Sequence, residues 1–175
     1  MNATESLNSI LTTWNDLSAS AAAAAILPCN GSQAWADQLA ALRPFQTVFD
    51  LTCTADIVWR ALPPVDLQQA FDTHPRIGER HAKAATAASL ALSASEQAAA
   101  HLTAETETAL AAANLAYEKK FGRIFIICAA GKSAAHILAL LHERLANNPA
   151  IELREAAEQQ RQITQIRLRK WLAAS

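Results

Sequence analysis

Glycine and valine are scarce in this chain. Its 175 residues include four glycines and only three valines (Val48, Val58 and Val65), against 41 alanines. Alanine is the strongest helix former, whereas β-branched residues favour strands. Large sandwiches, barrels and doubly wound sheets are therefore disfavoured, and an all-α fold is expected. Cysteine is equally sparse. Cys29, Cys53 and Cys128 are odd in number, widely spaced and form no C-x-x-C, which argues against a disulfide framework or a zinc ribbon. Three free, mostly buried thiols in a reducing compartment are expected. A charge excess is also lacking: the net charge is -1 and the pI about 6.5. Nucleic acid and anionic membrane surfaces are thus not the expected partners. No basic residue precedes Arg43, so the n-region of a secretory signal is missing. The longest early apolar run, Ala21 to Leu27, is far short of the roughly 20 residues that cross a bilayer. A cytoplasmic protein is expected. Hydrophobic residues at 51% and charged residues at 18% describe a globular chain, read as a single domain over 1–175.

Apolar residues recur at helical spacing along most of the sequence. Leu7, Ile10, Leu11 and Trp14 predict a short first helix over 7–14, and Ala19 to Leu27 a second one stopped by Pro28. Ser32 suits the N-cap of a third, with Trp35, Leu39 and Leu42 on one face and Pro44 beyond its end. Helices over 47–62 and 65–72 flank Pro63-Pro64. A weak helix over 81–92 and a long one over 94–120 follow, the latter carrying Leu102, Leu110, Leu115 and Tyr117 and stopped at Gly122. Ile124 to Cys128 is a β-like run too isolated to build a sheet. Ser133 caps a helix to about Asn147, and Pro149 opens a last one to about Ala173. The expected architecture is a single-domain all-α bundle of roughly eight to nine helices. The four tryptophans fall on apolar helix faces and are expected in the core.

Four segments could carry chemistry. In His74-Pro75-Arg76-Ile77-Gly78, Pro75 holds His74 out of the helical region and Gly78 permits a positive φ. Such a loop can present an imidazole that moves protons near neutral pH, or it can simply cap a helix end. Ser93-Ala94-Ser95-Glu96-Gln97 fits a capping box between Ser93 and Glu96. The same residues could instead grip a polar, nitrogen-rich ring at a helix N-terminus. Gly131-Lys132-Ser133 invites a phosphate-loop reading, but the glycine required five positions earlier is Ile126. Arg161, Arg167, Arg169 and Lys170 form a basic run without an intervening acid, which ordinarily means a solvated helix end. Arg167 differs in bordering the apolar stripe of Ile163 and Ile166, so its head group could enter a cleft and bind an anion. The five histidines show no standard ligand spacing, and no metal is expected.

Taken in order, Trp35, Arg43-Pro44-Phe45, the His74 loop, Ser93-x-x-Glu96-Gln97, Asn114-x-x-Tyr117-x-x-Lys120-Phe121-Gly122, Phe125 to Ala129, Arg144-Leu145-x-Asn147 and Ile166-Arg167-Leu168 resemble one family over nearly the whole chain. It is the 2-oxo-4-hydroxy-4-carboxy-5-ureidoimidazoline (OHCU) decarboxylase family of urate degradation. The resemblance implies an all-helical, usually homodimeric enzyme that needs no metal or organic cofactor. It would convert OHCU to (S)-allantoin and CO₂. It further implies a catalytic set of His74, Glu96 and Arg167, with His74 as the acid/base. Substrate would be bound by Pro75, Ser93, Ala94, Ser95, Glu96, Gln97 and Arg167, and by the backbone of Arg123, Ile124, Phe125, Ile126 and Ile127. Many relatives carry Phe-Gly-Phe-Pro-Phe where this chain has Phe121-Gly122-Arg123-Ile124-Phe125. Two other classes remain: a non-catalytic helical dimerisation module, and another lyase or hydrolase acting on a related ureide. The hydrolase of the preceding step is β-rich, so a helical spectrum would set it aside.

Overall fold

The structure, a computed structural model, describes residues 8–77 and 103–174. Eight helices are present among them: α1 (Ser9–Asn15), α2 (Ala19–Asn30), α3 (Gln33–Ala41), α4 (Val48–Ala61), α5 (Pro64–Phe71), α6 (Ala104–Phe121), α7 (Ala134–Arg144) and α8 (Pro149–Leu172). No strand occurs among the described residues. The expected weak helix over 81–92 lies outside them.

Local sequence sets most of the helix ends. Asn8, Ser18, Ser32, Thr103, Ser133 and Asn148 each accept a backbone N–H from the first turn of the helix they precede. Thr47 and Asp50 complete a reciprocal capping box on α4. Gly122 adopts φ 69° and closes α6.

Several expectations are corrected. Pro28 does not stop α2. In the last turn it forfeits only its own N–H bond, and the helix runs on to Asn30, where Gly31 at φ 98° ends it. Leu42 is 54% exposed and Leu115 64% exposed, so neither belongs to the buried stripe assigned to it. Leu42 lies past the end of α3, where the helical face has already been lost. The long helix expected over 94–120 is interrupted at Thr103, which is extended (ψ 155°) and caps α6 from Ala104; residues 94–102 lie outside the described residues.

Two apolar clusters hold the bundle. The larger joins α1 to α5 with α8 and contains Trp14, Trp35 and Trp59, with Trp171 packed against it. The smaller joins α6 and α7 around Leu110, Tyr117, Ile137 and Leu141. The run after α6 is the seam between them. It is extended, so alternate side chains point opposite ways. Phe125, Ile127 and Ala129 enter the smaller cluster while Ile126 and Cys128 enter the larger. Its β-like composition therefore serves one ribbon with a core on each side.

Polar contacts fix that ribbon. Arg144 Nη1 donates to the Ile126 carbonyl at 2.7 Å, and the Cys128 N–H donates to Gln159 Oε1 at 2.9 Å. Arg144 is paired in turn with buried Glu152, which also accepts from Tyr117 and from Asn147 Nδ2. Burial and the Glu152 carboxylate push the Tyr117 phenol well above its ordinary pKa. The Arg43-Pro44-Phe45 motif is also structural. Arg43 donates to the Ala40, Trp14, Asn15 and Leu17 carbonyls at the ends of α1 and α3, and Phe45 stacks on Trp14. No helix among the described residues is long and apolar enough to cross a membrane.

Candidate active site

The loop after α5 carries His74. Helical hydrogen bonding fades through it: the Thr73 and His74 amides donate to the Ala70 and Phe71 carbonyls in tight turns. Pro75 then prevents the helix from resuming. Thr73, His74 and Pro75 are all buried. The next two residues anchor the loop to α6. Arg76 grips Glu118 through two nitrogens, with Nη2 to Oε2 at 2.9 Å, and Asn114 Nδ2 donates to the Ile77 carbonyl at 3.3 Å. On the other side, Gly31 lies so close that a Cβ there would sit 2.5 Å from Thr73 Oγ1.

Arg167 reaches the same place from α8 and is 1% exposed. Its Nη1 lies 3.4 Å from the Pro28 carbonyl, one of the acceptors left open at the end of α2. Such a helix C-terminus carries partial negative charge and suits a guanidinium. Arg167 is therefore not part of a solvated run, whereas Arg169 and Lys170 are exposed. Arg161 departs from that run too, since it is paired with Glu158 and Asp56.

Electrostatically, His74 is kept neutral. Burial first, then the Arg167 charge, lower its pKa to about 3, against an opposing contribution from Gln160. Burial pushes the neighbouring Cys29 thiol up to about 12, only partly offset by Arg167, so it is inert as a nucleophile at neutral pH. Cys128 is also buried and Cys53 exposed, and all three thiols are free. The site offers an uncharged imidazole beside a fixed cation.

The structure thus brings together His74, Pro75 and Arg167. Of the ribbon residues, Phe125, Ile126 and Ile127 are buried, while Arg123 and Ile124 are half-buried. Arg123 Nε and Nη1 are buried with no hydrogen-bond partner. Ser93, Ala94, Ser95, Glu96 and Gln97 lie outside the described residues. The phosphate-loop look-alike is structural, with Lys132 Nζ donating to its own Cys128 carbonyl at 2.8 Å.

Sequence reasoning missed the polar residues behind the site. Gln160, Thr164 and Arg167 stand at i, i+4 and i+7 and are all buried. Measured against Ile163 and Ile166 alone, Arg167 looked like the edge of an apolar stripe. The polar spacing was the available signal. Asn114 and Glu118, four apart on α6, gave a similar one for the loop anchor.

The OHCU decarboxylase family model matches residues 15–169. The chain is 36% identical over 144 residues to the uric acid degradation bifunctional protein TTL of Arabidopsis thaliana, covering 81% of this chain and 44% of that protein. It therefore spans less than half the length of that relative. It is 34% identical over 129 residues to the 2-oxo-4-hydroxy-4-carboxy-5-ureidoimidazoline decarboxylase of Amia calva, covering 72% of this chain and 73% of that one. A crystal structure of OHCU decarboxylase in the presence of (S)-allantoin superposes with a TM-score of 0.73 at 34% identity, over 85% of this chain and 96% of that chain. A crystal structure of (S)-allantoin synthase gives 0.67 at 17% identity, over 92% of this chain and 53% of that chain, a likeness of fold alone. With the family model matching residues 15–169 and a relative 34% identical covered over most of both chains, the chain belongs to the OHCU decarboxylase family.

Proposed function

We propose that this chain is a carboxy-lyase of urate degradation that converts OHCU to (S)-allantoin and CO₂ without a cofactor, with His74 handling the proton. The observation that carries the reading is the buried, neutral imidazole beside the Arg167 cation. In the reaction the bond from the ring carbon to its carboxylate breaks and CO₂ leaves. The electron pair moves into the ring toward the adjacent C=N, which acts as the electron sink. The hydroxyl on the same carbon becomes a carbonyl and gives up its proton. One face of the neighbouring carbon gains a proton, and the ring nitrogen that received the pair takes one from solvent. A neutral imidazole can accept the hydroxyl proton and return it to carbon once the anionic substrate offsets the Arg167 charge that opposes its protonation. Arg167 supplies fixed positive charge for an anionic substrate in a site shielded from water.

In the same reading Ser93, Ala94, Ser95, Glu96 and Gln97 hold the ureido and lactam edges, together with Pro75 and the backbone of 123–127. Glu96 is counted with the catalytic set. The protein works as a cytoplasmic homodimer.

The test generates OHCU from urate with urate oxidase and hydroxyisourate hydrolase, then follows its decay and the handedness of the product. The chain should accelerate decay and give one enantiomer. His74→Ala should fold and lose about 10² to 10⁴ in turnover, the usual scale of general acid–base catalysis. Activity should survive exhaustive chelation. Decay at the spontaneous rate would sink the enzyme reading, and near-wild-type turnover in His74→Ala would remove His74 from the mechanism.

A further inference from the structure

A hollow of about 260 Å³ opens between α4, α5 and the first half of α8, and none of the described residues assigned to the reaction lines it. Its floor is apolar. Trp59 of α4, Leu67 of α5, and Leu153 and Ala157, one turn apart on α8, meet there. The floor is also fixed in place, because the Trp59 indole N–H donates to the Ala157 carbonyl at 2.9 Å and its ring packs edge-to-face with Phe71. The indole therefore has no donor left for a ligand, and the floor offers shape and apolar contact alone.

The rim is basic, with Arg60 on α4 and Arg154 and Arg161 on α8. Arg161 is already committed. Its Nε and Nη2 donate to Glu158 at 2.9 and 2.8 Å, and its Nη1 to Asp56 at 2.7 Å. Both oxygens of Glu158 are taken up by this grip, and Oε1 accepts from Gln162 as well. Glu158 is thus engaged elsewhere and makes no salt bridge to Arg154, the partner that helical i, i+4 spacing would give it. Arg60 and Arg154 are exposed, and neither has a hydrogen bond or a salt bridge among the described residues. The C-terminal end of α4 suits the charge of Arg60, but Arg154 stands in the second turn of α8, where the helix dipole favours no cation.

This combination selects the occupant. Inorganic phosphate gains nothing from an apolar floor, and a neutral apolar molecule leaves two guanidiniums unused. A second copy of the chain seated on the same face would set Arg60 and Arg154 against their own counterparts, like charge against like. An anion with an apolar body satisfies both halves. The hollow is smaller than the roughly 300–1,000 Å³ of drug-sized pockets, so that body is small. We propose that this hollow is a second ligand site, separate from that of His74, which binds small organic anions: the apolar body lies on Trp59, Leu67, Leu153 and Ala157, and Arg60 and Arg154 hold the anionic group. Arg161, clamped by Glu158 and Asp56, is its fixed wall.

The experiment is isothermal titration of the full chain with naphthoate, with naphthylmethanol as the neutral counterpart and inorganic phosphate as the bare anion. Naphthoate should bind, and the alcohol and phosphate should each bind at least about tenfold more weakly, the scale of one hydrogen bond to a charged group. Arg60→Gln and Arg154→Gln should each weaken naphthoate by about the same factor. Ala157→Met fills the hollow while its main-chain carbonyl still accepts the Trp59 N–H, and should abolish binding. Should that variant fail to fold, the two arginine variants decide, since both positions are exposed. No binding of naphthoate, equal affinity for naphthoate and its alcohol, phosphate as tight as naphthoate, or unchanged affinity in both arginine variants would overturn the proposal. So would binding that is lost in Arg167→Lys and kept in Arg154→Gln, which would put the probe beside His74 instead.

Discussion

Burial and the Arg167 guanidinium together suppress the charge of His74. The guanidinium comes from the last helix and the imidazole from the loop after α5, and both are buried. Burial first, and the positive charge of the guanidinium second, make the imidazole reluctant to take a proton. One site thus holds a permanent cation and a neutral base.

This relationship predicts a signature in acid stability. The His74 pKa is about 3 in the native protein, against an ordinary 6.5. Between these values the unfolded chain takes up a proton that the native protein refuses. Stability must therefore fall as pH drops from about 6.5 toward 3. His74→Asn lacks this contribution, so its melting temperature should decline less steeply over that range. Equal slopes for variant and wild type would mean that the native imidazole titrates normally.

Arg167 and Arg169 offer a paired test on one helix. Arg167→Lys keeps the charge but loses the planar fork, and should cost about 10- to 100-fold in kcat/KM. Arg169 is exposed, and Arg169→Lys should change nothing measurable. Silence in both would show that the fork of Arg167 makes no contact with substrate.

The anchor between Arg76 and Glu118 should be measurable by a double-mutant cycle. Its side chains are 32% and 21% exposed, so solvent screens part of the attraction. Arg76→Met, Glu118→Gln and the double variant should show a coupling of about 1 kcal/mol in stability. Turnover should fall in each variant as the His74 loop loosens. Additive stability losses would mean that the pair does not act as a unit.

Gly31→Ala should be strongly destabilising, by about 1–3 kcal/mol from backbone strain alone at φ 98°, before the clash with Thr73 is added. Adding Thr73→Ala removes the Oγ1 and Cγ2 atoms that the new methyl would meet at 2.5 and 2.8 Å. The double variant should therefore melt above the value expected from the sum of the two single losses. A purely additive result would leave the strained backbone as the sole reason for the glycine.

The helices were readable because their causes are local. Caps such as Ser32, Thr47 and Ser133, and the stop at Gly122, act within one turn of the chain. Pro28 misled because a proline in the last turn costs less than one in the middle of a helix. Thr103 was overlooked because the alanine-rich sequence before it also favours helix. At the site, His74 and Pro75 announced themselves through a rigid loop motif. Gln160, Asn30 and Thr164 did not, because each is unremarkable alone and acquires meaning from a partner 130 or more residues away. The two-sided burial of Ile124 to Cys128 was likewise hidden, since nothing in a short apolar run tells how many cores it faces.

The seam between the two apolar clusters is held by side chains buried on both faces and also by its main chain, through the Ile126 carbonyl and the Cys128 amide and carbonyl. A segment gripped in this way keeps its course when its less buried side chains change. Arg123 and Ile124 are both half-buried beside the ribbon, which threads between the cores. The arrangement separates shape from side-chain identity. A lineage could change these two side chains while the path of the backbone, and any backbone groups it offers to a ligand, stayed where they are.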